Sequence, residues 1–213
     1  MKKFILFLLF AGMIDAAKAQ MVLYDPVTSR VFDSEKYSSI KGSPFLFEKW
    51  INGVASSSRG TYIQQELRLD SYENILYFNR QDESIQFLED IKSFYLLTGD
   101  TLFFKKGFSG PALKPEQYVQ VLTEGKINFY RSDIKTISEM SEINAGMVKT
   151  FSTVTRYYIV KDNKTELVKL SKPDIFQYLG DKESQLKEYM DNNKIGTKKE
   201  ADFVKIVKFY NSL

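Results

Sequence analysis

The sequence predicts an α+β fold: a mostly antiparallel β-sheet of meanders and hairpins, followed by about three short C-terminal helices. Three observations carry this expectation. Short runs rich in Phe, Tyr, Leu and Ile recur between Tyr62 and Leu170, separated by turn-prone segments. Beyond Ser171 the hydrophobic period switches from about two residues to about 3.6. Seventeen Phe and thirteen Tyr supply rings suited to cross-strand pairing.

The chain opens on Met1-Lys2-Lys3, the apolar run Phe4 to Phe10, and Ala17-Lys18-Ala19. A positive n-region, a short h-region and a small-x-small site together read as a cleavable signal peptide, with cleavage between Ala19 and Gln20. A membrane helix needs roughly 20 apolar residues. Asp15 interrupts this run, and no later segment approaches that length. The expectation is an exported protein, periplasmic or secreted, with no transmembrane segment after cleavage. With no cysteine in the chain, there is none to carry a lipid anchor. A chain of this size buries enough surface to fold without disulfides.

Residues 20–43 read as an extended N-terminal arm and residues 44–170 as a β-rich domain. Strands are expected over Tyr62–Leu69, Ile75–Asn79, Ile85–Leu88, Ile91–Leu97 and Thr101–Lys105. Ser71–Asn74, Arg80–Ser84 and Thr98-Gly99-Asp100 are their turns. Gly107–Pro115, with two glycines and two prolines, forbids regular structure. A hairpin follows, Tyr118–Leu122 with Ile127–Arg131, in which Gly125 would take positive φ. Ile134–Met140 fits a strand or a short helical turn. Thr153–Val160 and Glu166–Leu170 flank the turn Lys161–Lys164. Residues 171–213 read as a helical segment packed on the sheet. There Ser171 caps a helix that Gly180 stops, Asp181 caps a second, and Thr197 with Glu200 forms a capping box for a third.

The chain contains no histidine and no cysteine. Ser-His-Asp and Cys-His nucleophiles, imidazole or thiolate zinc sites, haem ligation by His or Cys, and iron–sulfur clusters are therefore excluded. Two S-x-x-K patterns, Ser38–Lys41 and Ser184–Lys187, lack the companion motifs of penicillin-recognising enzymes. The carboxylates Glu66, Asp70, Glu73, Glu89 and Asp90 are the residues on which acid–base hydrolysis would rest, against the plainer reading of exposed strand and turn charges. No calcium loop or phosphate loop is present. Asn163-Lys-Thr165 is a formal N-glycosylation acceptor, and Asp100-Thr-Leu102 resembles a short bacterial O-glycosylation motif. A net charge of +3, partly carried by the leader's three lysines, gives no footprint for nucleic acid. The aromatics read as core filling, with an exposed binding face as the sharper alternative.

Several segments carry a resemblance: Gly42-Ser-Pro-Phe-Leu46, Tyr118-Val-Gln-Val-Leu122 with Gly125-Lys126, Lys169-Leu-Ser-Lys172, Leu179-Gly-Asp-Lys182 and Phe209-Tyr-Asn-Ser-Leu213. In these the chain resembles a family of small exported proteins of Bacteroidetes-type bacteria. The resemblance implies export and a shared fold, and assigns no activity and no functional residue. The sequence therefore expects a non-enzymatic protein without cofactor, metal or catalytic residues. Its role would be macromolecular interaction or envelope assembly with an envelope or extracellular protein. Binding of a small lipid, glycan or peptide is the alternative, ahead of a carboxylate hydrolase. An outer-membrane barrel fits poorly, because the strand runs are short and the C-terminus is helical.

Overall fold

The computed structural model describes residues 30–142 and 146–213. Ala17, Ala19 and Gln20, the expected signal cleavage site, lie outside the described residues. Eleven strands form one sheet: β1 (Ile40–Lys41), β2 (Ile51–Ser57), β3 (Thr61–Asp70), β4 (Ile75–Arg80), β5 (Glu83–Gln86), β6 (Ile91–Leu97), β7 (Thr101–Lys105), β8 (Val119–Thr123), β9 (Asn128–Glu142), β10 (Gly146–Lys161) and β11 (Lys164–Val168). Their spatial order is β1-β10-β9-β8-β7-β6-β2-β3-β4-β5, with β11 also on β10. All pairs are antiparallel except β1 with β10. The class is α+β, as expected.

The turns show why the chain reverses where it does. Gln81-Asp82 and Asp162-Asn163 hold positive φ at both central positions, the pairing that matches the right-handed twist of a tight hairpin. Gly125 does not. Its φ lies outside the left-handed region, and a Cβ there would come within 2.6 Å of the Asn211 side chain. The glycine is needed for close approach rather than for the turn. Ile134–Met140 is not a separate element, since β9 runs unbroken through it and pairs with β10 over its whole length.

β2 was not among the expected strands. Its small residues Gly53, Ala55, Ser56 and Ser57 carry little strand propensity. Yet it is central, with β3 on one side and β6 on the other. A Cβ on Gly53 would sit 2.3 Å from the Tyr95 carbonyl oxygen and 2.7 Å from Leu67 Cδ1. Small residues are what let these strands close up.

The arm's described part ties the two ends of the strand order together. Val31 bridges Ile85 on β5, where Phe32 N–H donates to Ser84 O and Gln86 N–H donates to Arg30 O, both at 2.9 Å. Further along, β1 pairs with Lys149 and Thr150 on β10. On this seam Phe32 packs on Tyr77 of β4, and Tyr37 packs edge-on against Phe151 of β10. The described arm thus covers part of each end of the strand order, β5 at Ile85 and β10 at Lys149 and Thr150.

Helix α1 (Lys172–Leu179) starts at Ser171, whose Oγ accepts from Asp174 N–H as expected. α1 ends at Gly180 as expected, but the glycine does not turn the chain away. Its φ of −68° is helical, and a single 3₁₀ turn over Gly180–Lys182 leads directly into α2 (Glu183–Asn192). The helical part is thus two segments rather than three separate helices, residues 172–192 and then α3 (Glu200–Ser212). Neither expected cap forms. The Asp181 carboxylate accepts from Tyr210 Oη at 3.0 Å, and α3 starts at Lys199 with no side-chain cap, its Glu200 turned to Arg131. Tertiary partners outcompete the local ones.

Two apolar cores result. Leu67, Ile85, Phe94 and Leu96 anchor one, formed by β2 to β7. In the other, Ile127 just before β9 and Phe129 on it meet Ile175, Leu179, Leu186, Phe203, Ile206 and Val207 of the helices. Each of these fully buried chains contributes about 1.5–3 kcal/mol. The opposite face of β9 buries Tyr130 beside Tyr158 and Leu113, the last from the loop 107–115.

Candidate functional site

The odd-numbered residues of β9 and β10 face the helices, and their chemistry changes along the strands. Phe129 and Ile159 are apolar where the helices cover them. Past the start of α3 the same face turns polar, with Arg131 and Asp133 on β9 and Thr153 and Thr155 on β10. In the ladder register Gln120 of β8, Arg131 and Tyr157 form one cross-strand row, with Asp133 and Thr155 as the next. On α3, Glu200, Val204 and Lys208 recur every fourth residue, beside the buried face of Phe203, Ile206, Val207 and Tyr210. Leu46 and Phe47 supply apolar lining. Together they enclose a cleft of about 760 Å³, also lined by Asp100, Thr101 and Leu102.

The polar side chains of this cleft are held in place by one another. Arg131 Nη1 donates to both oxygens of Glu200, at 3.1 and 3.4 Å. Its Nε lies 2.8 Å from Asp133 Oδ2, an ion contact that is too bent to be a hydrogen bond and leaves this buried N–H without an in-line acceptor. Thr155 Oγ1 donates to Asp133 Oδ1 at 2.6 Å. Burial pulls the Arg131 guanidinium down, but Asp133 and Glu200 outweigh it and hold the group above its ordinary value. Burial, then the Glu200 carboxylate beside it, pushes the Tyr157 phenol up to about 12. The network locks α3 to the sheet and fixes charges that a flexible surface would leave mobile.

The five carboxylates named from sequence do not share a site. Glu66 accepts from Asn79 Nδ2 at 2.5 Å. Glu89 takes the Ser57 hydroxyl, and Asp90 is paired with Lys92 and Lys106. Asp70 and Glu73 meet in one turn, where Asp70 Oδ1 accepts from the N–H groups of Tyr72 and Glu73 at 2.8 Å and Glu73 pairs with Lys36. Asp70 is buried, its Oδ2 has no hydrogen-bond partner, and burial raises its pKa. The first S-x-x-K pattern is not on one helical turn: Ser38 donates to Glu35 O at 2.9 Å, and Lys41 lies on β1. In the second, Lys187 is paired with Glu183. Asn163 lies in the expected turn, and Thr101 is exposed at the start of β7.

Sequence reading passed over the cleft. Its signal was the period-two placement of polar residues, Arg131-x-Asp133 and Thr153-x-Thr155, next to the apolar Phe129, Tyr157 and Ile159 of the same face. The distal part of the β9–β10 hairpin is the second exposed feature. β8 pairs with β9 only as far as Arg131, and Lys135 N–H donates to Ser71 O at 3.1 Å. Beyond this, among the described residues, the two strands pair only with each other and with the short β1. Met140 and Met147 there are 68% and 64% exposed. By ladder alternation, the N–H and C=O of Ile137, Glu139 and Ser141 lie on the outer edge of β9.

Comparison with known proteins finds no matching family model, curated protein or solved structure. Among the described residues no helix is long and apolar enough to cross a membrane.

Proposed function

We propose that this is an exported, non-enzymatic protein of the cell envelope that engages a macromolecular partner by accepting a strand on the distal edge of β9. The observation that carries this reading is the overreaching β9–β10 ribbon. Among the described residues its outer edge from Ile137 to Ser141 has no strand beside it, and towards its tip Met140 and Met147 are exposed. A two-stranded ribbon is marginal in water alone. An added strand would satisfy its free backbone groups while side-chain contacts select the partner. Adaptable Met140 and Met147 suit such a contact. The lack of histidine and cysteine, together with the leader-like Met1–Ala19, supports binding at the envelope over turnover.

The test is in-cell photo-cross-linking of the tagged protein in its native host. A reactive residue is placed at Glu139 on the free edge or, as control, at Lys194 beyond α2. Reproducible capture of one envelope protein from position 139 alone is the expected result. Recovery of the protein by itself from position 139, or specific turnover of an envelope substrate by purified protein, would overturn it.

A further inference from the structure

We infer that the cleft between α3 and the sheet is a second, independent binding site, for a neutral polyhydroxylated ligand, a short oligosaccharide. The composition of its walls narrows the ligand class. Asp100, Asp133 and Glu200 can only accept when ionised, Arg131 and Lys208 only donate, and Gln120, Thr101, Thr153 and Thr155 do both. Three carboxylates against two cations leave a net charge of only −1, interleaved in sign, with no strong field to attract an ionic ligand. An anion would face Asp133 and Glu200. A cation would meet Arg131 between them.

A hydroxyl group donates and accepts at once, so a molecule carrying many hydroxyls uses both halves of such a wall. The second requirement of a sugar is an apolar surface for the C–H face of its ring. Phe47, Leu46 and Leu102, which line the same cleft, provide this. The volume, about 760 Å³, lies in the range of small-ligand clefts. The Arg131 network also sets the geometry in advance, so that binding does not have to order it. Among the described residues, the side chains of Gln120, Thr153 and Lys208 have no hydrogen-bond or ion-pair partner of their own, and they remain available to a ligand.

The experiment is titration calorimetry of the purified protein with three neutral trisaccharides, maltotriose, cellotriose and mannotriose. Trigalacturonate is the anionic control. At least one neutral trisaccharide should bind, and trigalacturonate should bind at least about tenfold more weakly, a difference of about 1.4 kcal/mol. Gln120→Ala and Lys208→Ala change side chains without partners. Each should weaken binding about five- to tenfold while leaving the melting temperature unchanged. No heat from any neutral trisaccharide at about 10 mM, tighter binding of trigalacturonate, or binding indifferent to both variants would each overturn the inference. Glu139 and the β9 edge are not involved, so this site and the strand-addition site fail or succeed separately.

Discussion

Asn211 on α3 clamps Ile127 in both directions: its Oδ1 accepts from Ile127 N–H at 2.9 Å, and its Nδ2 donates to Ile127 O at 2.8 Å. One amide side chain thus supplies what a neighbouring strand would, at the point where the β8–β9 turn meets the helix. Gly125 makes room for it, because a methyl at that position would come within 2.6 Å of the Asn211 amide. Asn211→Ala leaves two backbone groups of a buried residue unpaired and should cost about 1–3 kcal/mol in urea denaturation. Gly125→Ala should cost a similar amount by displacing Asn211, and less in the Asn211→Ala background, where only the Cβ, 3.0 Å away, still meets the new methyl. A double-mutant cycle reads that coupling directly.

Gly53→Ala should be among the most damaging single-methyl additions in the chain. The new Cβ meets the Tyr95 carbonyl oxygen at 2.3 Å and cannot move, because β2 is bonded on both sides. Overpacking of this kind costs about 1–3 kcal/mol or more. Gly99→Ala, where no atom lies within 4 Å of the new methyl, is the matched control and should stay within about 0.5 kcal/mol. Thermal melts of the two variants side by side check the contrast.

Asp70 should make stability fall with rising pH. Burial lifts its folded-state pKa above the ordinary value, despite the two backbone N–H groups that favour the carboxylate. The native state therefore holds the proton more tightly than the unfolded chain. Its contribution is fully present below the ordinary carboxylate pKa, near 3.9, and is lost as pH climbs through the raised native value. Asp70→Asn keeps an acceptor for the turn and removes the titration. Relative to wild type, the variant should gain stability between acid and neutral pH, read as urea midpoints. A constant difference across that range would contradict the assignment.

At the alkaline end, Tyr77 and Tyr157 are both pushed up to about 12, chiefly by burial. For a phenol this favours the protonated form in the native state. The associated stability is present below about pH 10 and is lost as pH rises from there towards 12. Ultraviolet absorbance of the phenolate should show a fraction of the tyrosines ionising only together with unfolding, and Tyr157→Phe should reduce that late fraction.

Much of the sheet was legible in the sequence because antiparallel strands carry their own signature. Ile91–Leu97 and Thr101–Lys105 match β6 and β7 residue for residue, since aromatic and aliphatic runs bounded by Thr98-Gly99-Asp100 satisfy both propensity and turn chemistry. The Ser171 cap is equally local and formed as read. The caps at Asp181 and Thr197 failed because a partner distant in sequence, Tyr210 in one case and Arg131 in the other, took the side chain or its neighbour.

The sequence by itself determined the α+β class, the hairpin turns, the amphipathic face of α3 and the exclusion of imidazole and thiolate chemistry. These follow from short-range periodicity and from which residue types exist at all. Tertiary structure alone decided that Gly53 lies in a central strand and that residues 30–41 join both edges of the sheet. It also decided that Arg131, Asp133, Thr155 and Glu200 meet. Strand order and helix placement set which faces oppose each other, and such contacts, 69 residues apart in the Arg131–Glu200 pair, leave no mark in any local window.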